Sequence, residues 1–245
     1  MISLEKPEIL EPISSKEILN DSPKPLESTA KETIERQKSF LERMESKIPF
    51  FEKTEVVSDT KMVEGIARYL EGKTEFKFEN WRNLSLEQRE KVLNEVEKRI
   101  AAIEHRPPLK VELKPMARHH LGYQSASERK IVLNSNIVGS NSRKDHWEVL
   151  DTIIHEGRHA YQHYNVDVKT IHESASTVAT WRENFYSKEY GYYRSGQQHV
   201  YIIRNGKLEN ADFRLYYYQP VEIDARNFAG DVMKKLEGKG IVRKK

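Results

Sequence analysis

The chain contains no cysteine. That excludes disulfides and thiolate zinc ligands, and it fits any redox compartment. No apolar run approaches the roughly 18 residues that a membrane span needs, so none is expected. The opening MISLEKPEILEP lacks the basic-then-apolar pattern of a classical signal peptide. The expected location is therefore cytoplasmic, or outside the cell by an export route that needs no such signal. An excess of one charge is also missing: 41 Lys and Arg face 38 Asp and Glu, for a net charge of +3. Acids and bases are interspersed until the terminal Arg243-Lys244-Lys245. That balance argues against a nucleic-acid partner. No internal repeat is visible.

What the chain does have is helical patterning. Its 245 residues are enough for one substantial core or two small ones. Residues 1–28 carry Pro7, Pro12, Pro23 and Pro25 among Glu, Lys and Ser, and read as a flexible arm. Apolar residues at helical spacing then predict helices over 29–47 (Ile34, Leu41, Met44) and 60–71 (Val63, Ile66, Ala67, Leu70). Ser85 and Gln88 form a capping box that opens a helix to about residue 105. Pro107-Pro108 ends it.

The texture then changes. Leu109, Val111 and Leu113 alternate with charged residues as in a half-buried strand, and 121–124 with 129–134 read as a hairpin pair. A polar loop over 134–143 leads into a helix from about 144, and a second helix is expected over 170–187. The Tyr- and Gly-rich stretch 188–218 reads as loop, with short strands at 199–203 and 213–218. Pro220 fits the first turn of a last helix. The expected class is α+β: a mainly helical chain with a small antiparallel sheet. A helical region over 29–106 would precede a second region over 107–245.

Within LDTIIHEGRHAYQHY (150–164) lies His155-Glu156-Gly157-Arg158-His159, an HExxH motif. On a helix, positions i and i+4 share a face, so the two imidazoles can grip one Zn²⁺. Glu156 then stands beside the open coordination position, as a base that takes a proton from water. Leu150, Ile154, Gly157 and Tyr161 form one stripe of this helix, and Val149, Ile153 and Ala160 fill a flank. A helix apolar on more than one side is buried. Two His and a Glu in such a place need partners, which a metal supplies. His163 stands at spacing four from His159, but the pattern with a third His six residues on is absent: Gln162 and Asn165 occupy its Gly and His positions. His163 is therefore read as a neighbour of the site.

Three protein ligands are usual at catalytic zinc. The leading third candidate is Glu222, which shares a helical face with Ala225, Ala229, Met233 and Leu236; small residues there allow two helices to approach closely. Asp224 leaves the helix about 160° away and reads as a supporting acid. Glu173 and Glu183 on the intervening helix are the first alternatives, followed by Asp224 or His163. A first-turn Glu favoured by the helix dipole would need no metal. Tyr217, Tyr218, Tyr123 and His172 stay open as donors to a developing oxyanion. His119-His120, adjacent on an extended segment, read as surface or structural residues.

HExxH followed by a helix bearing Glu-x-x-Ala resembles the gluzincin zinc peptidases. Gly122-Tyr123, Ile131-Val132-Leu133-Asn134, the run from His155 to Gln162 and the run from Glu222 to Ala229 resemble metallopeptidase domains at the C-termini of bacterial polymorphic toxins. The late motif is similar also to that of ImmA/IrrE peptidases. The resemblance covers about residues 109–236. It implies a zincin-like fold with the HExxH helix packed on the Glu-bearing helix. It implies Zn²⁺ on His155, His159 and Glu222, with Glu156 as catalytic base. A toxin or effector would act on a protein or peptide substrate and have an immunity protein as partner. A regulatory peptidase, or an interaction protein without catalysis on the same scaffold, are the alternatives.

Overall fold

Ser58 opens the first helix of the computed structural model, which describes residues 56–187, 201–204, 207–210 and 216–242. The expected arm over 1–28 and the helix over 29–47 lie outside the described residues. Helix α1 (Asp59–Glu71) begins where the Ser58 side chain accepts from Lys61 N, and it buries Met62, Val63, Ile66, Ala67 and Leu70 on one face. A 3₁₀ turn (Thr74–Phe76) and the single-turn α2 (Phe78–Trp81) then put Phe76 and Trp81 into the core. The capping box at Ser85 and Gln88 is formed in full and starts α3 (Leu86–Ile103). Its apolar face is Leu93, Val96, Ile100 and Ala101.

Three strands follow: β1 (Lys110–Lys114), β2 (Gly122–Ser125) and β3 (Lys130–Asn134), in the order β1-β3-β2. The expected hairpin is present, with β2 antiparallel to β3 and Tyr123 opposite Val132. The sheet as a whole is mixed, not antiparallel, because β1 runs parallel to β3 with Val111 opposite Ile131. Buried Asn134 explains how. Its side-chain amide donates to the carbonyls of Met116, Ala117 and His120, and its Oδ1 accepts from Met116 N. The chain leaving β1 is thereby folded back across the end of β3, and β2 starts on the far edge. The same Asn134 caps a short helix, α4 (Ser135–Val138), inside the stretch expected to be loop.

Helix α5 (Arg143–Asp167) carries the HExxH motif and is buried on nearly every side, as its sequence predicts. Asn165 ends the following turn by accepting from Ile171 N and His172 N, so α6 spans only Ala175–Tyr186. A two-stranded antiparallel pair, β4 (Tyr201–Arg204) and β5 (Lys207–Asn210), comes next. Of the strand expected at 213–218, residues 216–217 are helical and 213–215 lie outside the described residues. Helix α7 (Pro220–Gly238) starts with Pro220 in its first turn.

One hydrophobic core joins α1, α3, β1, α5 and α7, from Met62 on α1 through Ile100, Val111 and Ile154 to Leu236 on α7. Residue 106, where a boundary was expected, falls between elements that share it. Helix α7 packs along α5 and also against α1, while α3 packs on β1 and α5. The pairing of α5 with α7 brings the two motif-bearing segments together. No helix among the described residues is long and apolar enough to cross a membrane.

Candidate metal centre

Helix α5 directs His155 and His159 from successive turns, with their Nε2 atoms 3.0 Å apart. Glu222, in the first turn of α7, comes up against both. Its Oε2 is 3.4 Å from His155 Nε2 and its Oε1 is 3.4 Å from His159 Nε2. Ala225 and Ala229, fully buried behind Glu222, keep the helices close. Donors about 2.0–2.1 Å from a common tetrahedral centre stand about 3.3 Å from one another. The three separations seen here fit that spacing, and the donor set of two imidazoles and one carboxylate is one that zinc accepts. Among the described residues these are the only three His, Cys, Asp or Glu side chains grouped this way.

Electrostatics give the same picture. Burial alone would raise the Glu222 carboxyl, but the two imidazoles outweigh it and hold that carboxyl well below the usual carboxylate range. Burial likewise opposes charge on His159; Glu222 and then Glu156 overcome it and push the imidazole up to about 9. The cluster is therefore built around a shared positive charge, which a proton or a metal cation can provide. Glu156 is buried beside it and hydrogen-bonds to none of the described side chains.

Behind these three side chains lies a second tier. Gln162, fully buried, donates through Nε2 to Val221 O at 2.9 Å and to Asp224 Oδ2 at 2.7 Å. Both are pure acceptors, so the amide orientation is fixed and Oε1 faces His159 Nδ1 at 2.8 Å. A neutral His159 must then carry its proton on Nδ1, which leaves the Nε2 lone pair for the cluster. Asp224 in turn accepts from Arg158 Nε at 2.8 Å and Nη2 at 3.1 Å. It stands outside the ligand group, as expected, but it does not turn away from α5: the close packing of the two helices lets both Glu222 and Asp224 reach that helix. Arg158 is fully buried among the rings of Tyr161, Trp181 and Phe228. Burial disfavours its charge, and Asp224 with Asp59 more than restores it.

The other candidates are elsewhere. Glu173 is exposed and accepts from Asp59 N, and Glu183 is exposed on α6. His163 pairs with Asp167 at 3.1 Å and stacks on Phe185. His119 and His120 are exposed and pack edge-on against each other. Of the open oxyanion donors, Tyr123 is exposed on β2, and His172 is buried against Tyr161 and Trp181. Tyr218 is exposed, and Tyr217 lies under the guanidinium of Arg226 and accepts from it through its carbonyl.

Arg226 itself went unnoticed in the sequence. It places Nη1 3.6 Å from Glu222 Oε2, one turn along α7. Gln162 was noticed only as a residue that replaces a Gly. Its spacing of three from His159 is the signal that could have found it, because such residues share a helix face. Comparison of the chain with protein-family models, with curated proteins and with solved structures finds no match.

Proposed function

We propose that this chain is a zinc-dependent peptidase, with His155, His159 and Glu222 as metal ligands and Glu156 as the catalytic base. The observation that carries the reading is the convergence of three suitable donor atoms beside a buried carboxylate with no hydrogen-bond partner of its own among the described side chains. Zinc bound there would supply Lewis acidity and lower the pKa of water toward about 7. Glu156 would take the proton from the attacking water and later hand it to the leaving amine nitrogen. Arg226, with Nη1 3.6 Å from Glu222 Oε2, would be a guanidinium able to balance negative charge at the reacting carbonyl.

The sheet supports a peptide as substrate. Among the described residues β2 pairs with β3 alone and leaves an outer edge. A β-carbon at Gly122 would stand 3.0 Å from Thr152 Cγ2, so β2 presses on α5 one turn before His155. An extended peptide can add to such an edge through its main chain. A toxin or effector role, with an immunity protein as partner, rests on the resemblance of the motifs alone, and so does the regulatory alternative.

The test is turnover of an unfolded protein substrate by the zinc-loaded full chain. Glu156→Gln should retain zinc and lose cleavage by a factor of about 10²–10⁴. Zinc-loaded protein that cleaves no member of a broad peptide library would favour an interaction protein on this scaffold.

A further inference from the structure

The four side chains Gln162, Asp224, Arg158 and Asp59 form a continuous path from His159 to the start of α1. Arg158 Nη1 stands 2.8 Å from Asp59 Oδ1, an ion pair set off the hydrogen-bond axis. Asp59 is itself held by its backbone, whose N donates to Glu173 Oε1. Helix α1 lies far from the HExxH motif in sequence, yet its first residue closes the charge balance behind the site. We propose that Gln162 is a positioning residue for the metal centre: it holds His159 in the tautomer and rotamer that present Nε2, and the Asp224–Arg158–Asp59 ion pairs hold Gln162. This rests on the zinc reading above.

The argument is one of donors and acceptors. Gln162 has one acceptor oxygen and a two-proton donor, and each is used. If Asp224 lost its charge or moved, the amide could turn over and offer its NH₂ to His159 Nδ1. That would favour the tautomer whose proton sits on Nε2, where a ligand needs a lone pair. Arg158 prevents this by fixing Asp224 with two bonds in a fully buried setting. Buried among three aromatic rings, Arg158 has no alternative place for its charge.

Zinc affinity of the full chain, measured by chelator competition, tests the proposal, with melting curves to confirm folding. Gln162→Leu and Gln162→Glu should each weaken zinc about 10–100-fold, as loss of a group that orients a ligand does. In Gln162→Glu the new carboxylate meets Asp224 and Val221 O without a proton to share. Adding Asp224→Asn restores a donor between the two side chains, and the double variant should recover at least half of the lost affinity on a logarithmic scale. Asp59→Asn, at the exposed end of the path, should weaken zinc several-fold. A purely structural role would not produce the recovery. If the unsubstituted chain takes up no zinc, the metal reading and this proposal both fall. If it takes up zinc and folded Gln162→Leu binds equally well, or the double variant is no better than Gln162→Glu, only the positioning role falls. Where Gln162→Leu does not fold, the Gln162→Glu pair decides.

Discussion

The guanidinium of Arg106 lies beneath Gly157, with Nη2 3.2 Å from the point where a β-carbon on that residue would stand. Ile100 Cγ2 closes the same space at 3.3 Å. Arg106 cannot retreat, because Glu97 holds it at 2.6 and 3.0 Å, Glu104 at 2.7 Å and the Pro107 carbonyl at 3.2 Å. All three charged side chains are buried. The glycine inside the HExxH motif is thus required by packing on the helix face opposite His155 and His159.

Gly157→Ala should therefore destabilise the protein. A helical Gly→Ala change normally gains about 1 kcal/mol. Overpacking against a fixed group costs about 1–3 kcal/mol, and here the cost should win, so the midpoint of urea unfolding should fall. A higher midpoint would mean that Arg106 gives way and that its carboxylate partners hold it less tightly than their distances imply.

His146 gives the chain a dependence on acid. Burial against Trp81 and Phe78, and then the charges of Arg89 and Arg143, lower its imidazole to about 4. An unfolded His protonates near 6.5. Its contribution to stability is therefore present above about pH 6.5 and is lost as pH falls through 4, where the unfolded chain has bound the extra proton first. Each pKa unit is worth about 1.4 kcal/mol, so the loss between pH 7 and 4 should be about 3 kcal/mol from this residue. His146→Phe keeps a ring and removes the proton. Its unfolding free energy should fall less over the same range, and equal slopes for the two proteins would contradict the assignment.

Local signals carried much of the fold. Ser85 and Gln88 marked the start of α3, Pro220 the start of α7, and the apolar flanks of residues 149–161 a buried helix. Alternation at 109–113 identified a strand, but alternation says nothing about its partner; the parallel pairing depends on Asn134 and three distant carbonyls. Helix α4 was too short to show a period. The convergence of His155, His159 and Glu222 was legible because the residue types and spacing that metal-ligand chemistry would require can be read from a sequence. Gln162, Arg158 and Asp59 were not, because their roles come from contacts among α1, α5 and α7 that no local pattern encodes.

The central claim is that His155, His159 and Glu222 bind one metal ion together. The most direct measurement is zinc content after equilibrium dialysis, by elemental analysis, for the unsubstituted chain, Glu156→Gln and Glu222→Gln side by side. The account predicts about one zinc per chain for the first two and a large loss for Glu222→Gln, since two imidazoles alone make a weak site. Zinc retained in full by folded Glu222→Gln, or no zinc in any of the three, would contradict it.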